Sequence, residues 1–237
     1  MPVHSSYGSL SLRLVLALLW PISIVASAEV RAEVLWALTF IEVRVDARGH
    51  AGGVLRQQAS ALREHTSWPA QTMLLQEVSR PERFVLVERE KTDVSTEGVR
   101  EIQSVAELLT DELTAPPDLR LNREFSELAP ATGAKADVRA NVYVVAHLDI
   151  GAPAPDRARV EAALRQLCVA ARRSEGNLRF DIWQQTDRTN HFNLISGWIG
   201  ESQFRAFAAS RAARDFRQTV GSLLGSPYDD RLFRRVD

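Results

Sequence analysis

The chain repeats itself, and the repeat limits its fold more than any other feature. Leu74-Leu75-Gln76 recurs as Ile182-Trp183-Gln184, Arg80 as Arg188 and Phe84 as Phe192, all at a separation of 108 residues. Pro116, Asp118, Arg120 and Leu121 recur as Pro227, Asp229, Arg231 and Leu232 at a separation of 111, so the second copy is about three residues longer. Self-similarity at one long period means that a single structural unit has been built twice. Between the copies, from Ser126 to Asp137, Ala, Pro, Thr, Gly and Lys replace the apolar periodicity, which is how a linker reads. The expected domains are therefore 30–128 and 138–237, joined by residues 129–137.

Each copy carries the same order of elements. In the second, Asn141 to Ile150 is a β-rich run, and Asp156 to Arg172 sets Val160, Leu164, Leu167, Cys168 and Ala171 on one helical face. Leu178 to Gln185 reads as a strand, Asp187 to Asn190 as a turn, and His191 to Trp198 as the next strand. A second helix near Ser202 to Leu224 repeats apolar residues every fourth position, at Phe204, Ala208, Ala212, Phe216, Val220 and Leu224. A last short strand covers about Arg231 to Val236. The first copy has strands near Val34 to Val45, Gln71 to Val78 and Phe84 to Glu90, with helices near Val54 to Glu64 and Val99 to Leu113.

This predicts an α+β protein of two ferredoxin-like, β-α-β-β-α-β domains. Two helices cover only one face of each sheet. Both faces carry apolar residues, with Val142, Val144, Ala146 and Leu148 on one side and Tyr143 and Val145 on the other. The second face must be buried against another sheet, and the other copy is the nearest candidate.

The first 28 residues have the pattern of an export signal. Arg13 supplies charge, Leu14 to Val25 an apolar run, and Ala26-Ser27-Ala28 a small-residue cleavage site. About 12 apolar residues interrupted by Pro21 fall short of the roughly 20 that span a bilayer. A mature chain of about 209 residues in the periplasm or outside the cell is the expectation, with no stable membrane span. Without Arg13 the balance is 28 basic against 30 acidic residues, which argues against a nucleic-acid partner. Cys168 is the only cysteine, so no intramolecular disulfide forms, and its place on an apolar helix face reads as a core thiol.

The strings Glu175-Gly176-Asn177-Leu178-Arg179-Phe180, Gln184-Gln185-Thr186-Asp187-Arg188 and Asn190-His191-Phe192, with the closing Gly225 to Arg234, together resemble the antibiotic biosynthesis monooxygenase family. The resemblance covers most of residues 140–237. It implies small α+β domains whose sheets pair in a dimeric α+β barrel, here as a pseudo-dimer within one chain with further self-association open. It also implies oxygenation of an aromatic or quinol-like substrate by dioxygen, often with no metal or flavin cofactor.

Such a reaction requires the protein to deprotonate a phenol or quinol, for which histidine is the natural base and an Asn or Trp N–H a stabiliser of the oxyanion. His147, His191 and Asn190 are the candidate catalytic groups. Trp183, Trp198, Phe192, Phe204 and Phe207 are the candidate substrate-binding rings, in a pocket expected between the second sheet and its second helix. Each has an ordinary reading beside this one: a satisfied core histidine, a turn asparagine, core-packing aromatics. Ser196 and Phe207 stand where many family members carry Glu and His. An exported cofactor-independent monooxygenase is one reading. A non-catalytic aromatic-binding or assembly module of the same fold is the other.

Overall fold

The computed structural model describes residues 34–65, 72–91, 105–125, 140–151 and 154–237, so the export segment and the linker lie outside the described residues. The first half runs β1 (Val34–Glu42), α1 (Arg48–His65), β2 (Met73–Glu77), β3 (Arg83–Lys91), a helical turn at 105–108 and β4 (Asp118–Glu124). The second runs β5 (Val142–Asp149), α2 (Ala154–Arg172), β6 (Asn177–Gln185), β7 (His191–Trp198), α3 (Glu201–Ala208), α4 (Arg211–Val220) and β8 (Asp229–Arg235), with a single 3-10 turn at Gly221–Leu223. Both halves therefore keep the strand order of a ferredoxin-like unit.

Within each half the sheet is antiparallel, ordered β4-β1-β3-β2 and β6-β7-β5-β8. The edges of one sheet pair with those of the other. β2 joins β8 through Leu75–Arg235, Gln76–Arg234 and Glu77–Phe233, and β4 joins β6 through Asn122–Gln185, Arg123–Gln184 and Glu124–Trp183. Eight strands thus close into one barrel, as in a dimeric α+β barrel made from one chain. Closure leaves no free sheet edge to recruit another chain.

The alternation of β5 plays out as the sequence predicts. Val144, Ala146 and Leu148 join a core under the helices with Leu164, Leu167, Cys168, Phe192 and Phe216. Tyr143 and Val145 point the other way, into the barrel, where they meet Trp36, Leu38, Leu75, Val87, Trp183 and Ile195. At the centre of that interior Trp36 of the first half stacks on Trp183 of the second, ring centroids 4.5 Å apart. The Arg179 guanidinium lies 5.2 and 5.5 Å from the two rings and pairs with Asp181. A third core holds α1 against the first sheet through Ala51, Leu55, Ala59 and Leu62.

Two elements depart from the sequence reading. Helix α1 begins at Arg48 and runs through Gly49, Gly52 and Gly53, each of which costs about 1 kcal/mol against Ala in a helix interior. Packing outweighs that cost: Ala51 and Leu55 are fully buried, and Gly52 lies against the Phe84 ring. The single helix expected over Ser202–Leu224 is broken into α3 and α4. Ser210 adopts an extended backbone and its hydroxyl accepts from the Ala213 N–H, so a new helix starts there. The buried positions consequently change register, from Phe207 on α3 to Ala213, Phe216 and Val220 on α4. The helix expected over Val99–Leu113 lies partly outside the described residues.

One glycine is required by its conformation. Gly176 has φ of 75°, and a Cβ there would come within 2.5 Å of the Gln203 side chain, so it turns the chain from α2 into β6 where a side chain would clash.

The Trp36–Trp183 stack should carry much of the cohesion between halves. Trp183→Ala should lower unfolding free energy by about 3–5 kcal/mol, the range for a buried aromatic truncation. Urea denaturation followed by circular dichroism measures it, and a loss under about 1 kcal/mol would show that the interior closes without the stack.

Candidate functional site

The helix-side face of the second sheet holds a narrow, partly open cleft with about 30 Å³ of free volume. Val144, Ala146, Phe180, Leu194 and Ser196 form the floor, Leu167 of α2 one wall, and Phe204, Phe207, Ala208, Ala213, Phe216 and Arg217 of α3 and α4 the other. Tyr228 and Asp230, from the approach to β8, complete the lining. The break between α3 and α4 gives the cleft its ring-rich wall, because it turns Phe207 and Phe216 toward the same sheet. Phe180 and Phe207 meet edge to face, with centroids 6.1 Å apart.

Several lining groups are already engaged. The Trp198 indole N–H donates to the Ser196 hydroxyl at 2.9 Å, and the Phe207 ring stacks on Trp198 at 5.2 Å. Trp198 itself is fully buried behind them. The Tyr228 ring packs edge-on to Phe216 at 6.0 Å, and burial, with Asp230 nearby, pushes its phenol well above the ordinary range. Arg217 spends one N–H on the Ala208 carbonyl at 2.8 Å.

A second polar cluster sits on the opposite face of the same strands, at a mouth of the barrel. Asn122 donates to the carbonyls of Arg120 at 2.7 Å and Trp36 at 3.3 Å, and its oxygen accepts from the Asn193 amide at 2.7 Å. The Asn193 oxygen is then free to accept from His147 Nδ1–H at 3.2 Å, which leaves His147 Nε2 facing His191 Nδ1 at 3.2 Å. Beyond it, His191 Nε2 lies 3.4 Å from Asp149, and the Asn190 amide donates to Asp149 and to the Ile150 carbonyl. Burial and the Arg120 charge push the His147 imidazole below its usual pKa, so the ring is held neutral. Among the described residues no three His, Cys, Asp or Glu side chains converge as metal ligands.

Residues 142–219 match the family model described as antibiotic biosynthesis monooxygenase. The second half of the chain is a domain of this family. The match covers β5 through α4 and so includes most of the cleft. A protein of Fusobacterium nucleatum subsp. nucleatum, provisionally named a monooxygenase, superposes with a TM-score of 0.67 at 7% identity, covering 87% of this chain and 94% of its own. An anthrone oxidase-like protein gives 0.62 at 10% identity over 87% and 93% of the two chains. A provisionally named monooxygenase of Lactobacillus acidophilus NCFM gives 0.59 at 11% over 86% and 94%. Each spans both halves in one chain, and at these identities the likeness is one of fold. No curated protein matches the sequence.

The structure divides the sequence candidates of this monooxygenase-family domain into separate places. Phe204 and Phe207 line the cleft, with Trp198 packed behind them. Phe192 is in the helix-side core, edge to face with Phe125 at 4.8 Å, and does not line the cleft. Trp183 faces the barrel interior, while His147, His191 and Asn190 belong to the network at its mouth. Strand alternation is the physical reason: His147 shares its side of β5 with Tyr143 and Val145, whereas the cleft uses Val144 and Ala146. The groups that sequence reading missed are Tyr228 and Arg217, and Asp230 joins them in the lining. A signal existed in the repeat, since at the separation of 111 Tyr228 and Asp230 replace Pro117 and Leu119 of the first copy.

The lowered His147 pKa has a stability consequence. The unfolded ring takes up a proton near its ordinary 6.5, while the folded ring does so only at lower pH. Stability from the neutral ring is thus fully present above that value and declines as pH falls through it toward the folded pKa. His147→Gln should reduce the drop in melting temperature between pH ~7.5 and ~5.5, with other groups titrating alike in both proteins. An equal drop in wild type and variant would show that His147 is not linked to folding.

Proposed function

We propose that the second half is a monooxygenase whose helix-side cleft takes a quinol, polyphenol or similar small aromatic and lets it react with dioxygen without a cofactor. The observation that carries this reading is the cleft itself. Phe180, Phe204, Phe207 and Phe216 line it, and Ser196, Arg217, Tyr228 and Asp230 supply polar groups. Flat rings bind in such apolar clefts, with a few polar groups setting orientation. The family match over residues 142–219 supports the reaction class.

The electrons of the reaction come from the substrate. An ionised quinol passes one electron to dioxygen, and the resulting ring radical and superoxide combine as a hydroperoxide. Loss of water leaves the oxygenated quinone, with one oxygen atom in the product and the other in water. The cleft contributes by holding the ring, excluding bulk water and stabilising the anion that starts the sequence. Export to the periplasm or the medium is part of the same proposal, supported by the charged, apolar and small-residue order of Met1–Ala28. No helix among the described residues is long and apolar enough to cross a membrane.

One observation favours a non-catalytic aromatic-binding role for the same cleft. Its lining contains no histidine, and the Ser196 hydroxyl is engaged by Trp198. Oxygen uptake with a panel of hydroquinones separates the two readings. Uptake is expected, and Ala208→Phe, which fills the cleft from a half-buried position, should cut it about tenfold or more with the circular dichroism spectrum unchanged. Ring binding without uptake selects the binding role. His147→Ala and His191→Ala should retain uptake, and its loss in either folded variant would move the chemistry to the barrel mouth.

A further inference from the structure

Tyr228 brings a hydroxyl to the lining of the cleft. Its ring is fixed against Phe216, yet no described residue hydrogen-bonds its oxygen, while Ser196 is held by Trp198 and Arg217 is partly held by Ala208. The phenol oxygen is not sealed from solvent, so a ligand that enters the cleft displaces water from it and takes over its hydrogen bond. The first copy has Pro117 at the equivalent position and Leu119 where Asp230 stands. The Tyr228 and Asp230 side of the cleft is therefore private to the half that matches the family.

We propose that Tyr228 is the oxygen-binding donor of the cleft: its hydroxyl, aided by the Arg217 guanidinium, holds the ring oxygen of a phenolic or enolic aromatic ligand and favours the ionised form of that ligand. This deepens the functional reading above and rests on the same cleft. Burial and the neighbouring Asp230 keep the tyrosine protonated, so it acts as a donor and not as a base. The charged groups that share the lining oppose one another. Arg217 on α4 stabilises an anion beside Tyr228, and Asp230 on β8 disfavours it. The ligand's proton leaves through the open mouth. A ligand lacking an ionisable ring oxygen gains nothing from this side of the cleft.

4-Nitrophenol tests the assignment, because its anion is coloured and its ionisation can be read on the protein independently of any turnover. Bound to the full chain, its apparent pKa should fall by about one pH unit relative to free solution, the scale of one charge-assisted hydrogen bond. Tyr228→Phe keeps the ring on Phe216 and should abolish most of that shift while changing affinity only a few-fold. Arg217→Gln should remove part of it, and Asp230→Asn should deepen it. An unshifted probe, no binding of the probe to wild type, or an equal shift in Tyr228→Phe overturns the proposal. A shift that depends on Tyr228 in a protein without oxygen uptake sustains it and sinks only the oxygenase reading. Uptake that is indifferent to Tyr228→Phe, with no shift, does the reverse.

Discussion

Closure of the barrel between the two halves is the constraint on which the rest of this structure depends. Each half alone would expose an apolar sheet face and two unpaired edges, both of which are costly in water. The joining ladders are short, three residue pairs at each seam, and backbone bonds beyond them extend each seam in the same way. Val236 N–H donates to Leu74 and Val78 N–H to Leu232 at one seam; Phe125 N–H donates to Ile182 and Thr186 N–H to Leu121 at the other. Such short ladders are held in register by what fills the barrel. The tryptophan stack does this directly, since one ring comes from each half and the Arg179 guanidinium lies against both.

Filling the barrel has a consequence for chemistry. The interior is occupied by large side chains, and the cleft lies on the other face, beneath the helices. There the fold separates two demands that would conflict at one place. The histidine–asparagine chain at the barrel mouth satisfies polar groups of which Asn122 and Asn193 are fully buried, and it ties β4 of one half to β5 and β7 of the other. The cleft presents a hydroxyl with no protein partner among the described residues and opens to solvent. The polar network lies on one face of β5 and β7, and the cleft on the other.

The halves share this frame but have diverged in what they mount on it. Phe40 of the first half occupies the register of His147, with the Arg120 guanidinium over its ring at 4.4 Å. Where the second half has its histidine pair, the first has ion pairs of Arg83 and Arg80 with Glu42. The polar residues that define the cleft are absent from the first copy's closing segment. A fused pair permits this, because only one member need bind a ligand once the other completes the barrel.

The 108-residue repeat, the order of elements and the two-sided alternation of β5 were legible in the sequence, and they sufficed for the architecture, because side-chain period and element order are local properties of the chain. The burial of Cys168, fully enclosed and with its thiol pushed up to about 11, was equally legible from its helix face. Tertiary structure alone decided how the candidate site is divided. Periodicity says which residues share a face, but not which face is sealed by Trp36 and which is left open beside α3 and α4. His147 and Phe207 look like neighbours in a pattern and lie on opposite sides of a sheet. Tyr228 and Asp230 came to the cleft from a closing segment that reads as a turn, and the restart of the helix at Ser210 set its wall. Both depend on contacts between residues distant in the chain, for which a single sequence carries no periodic signal.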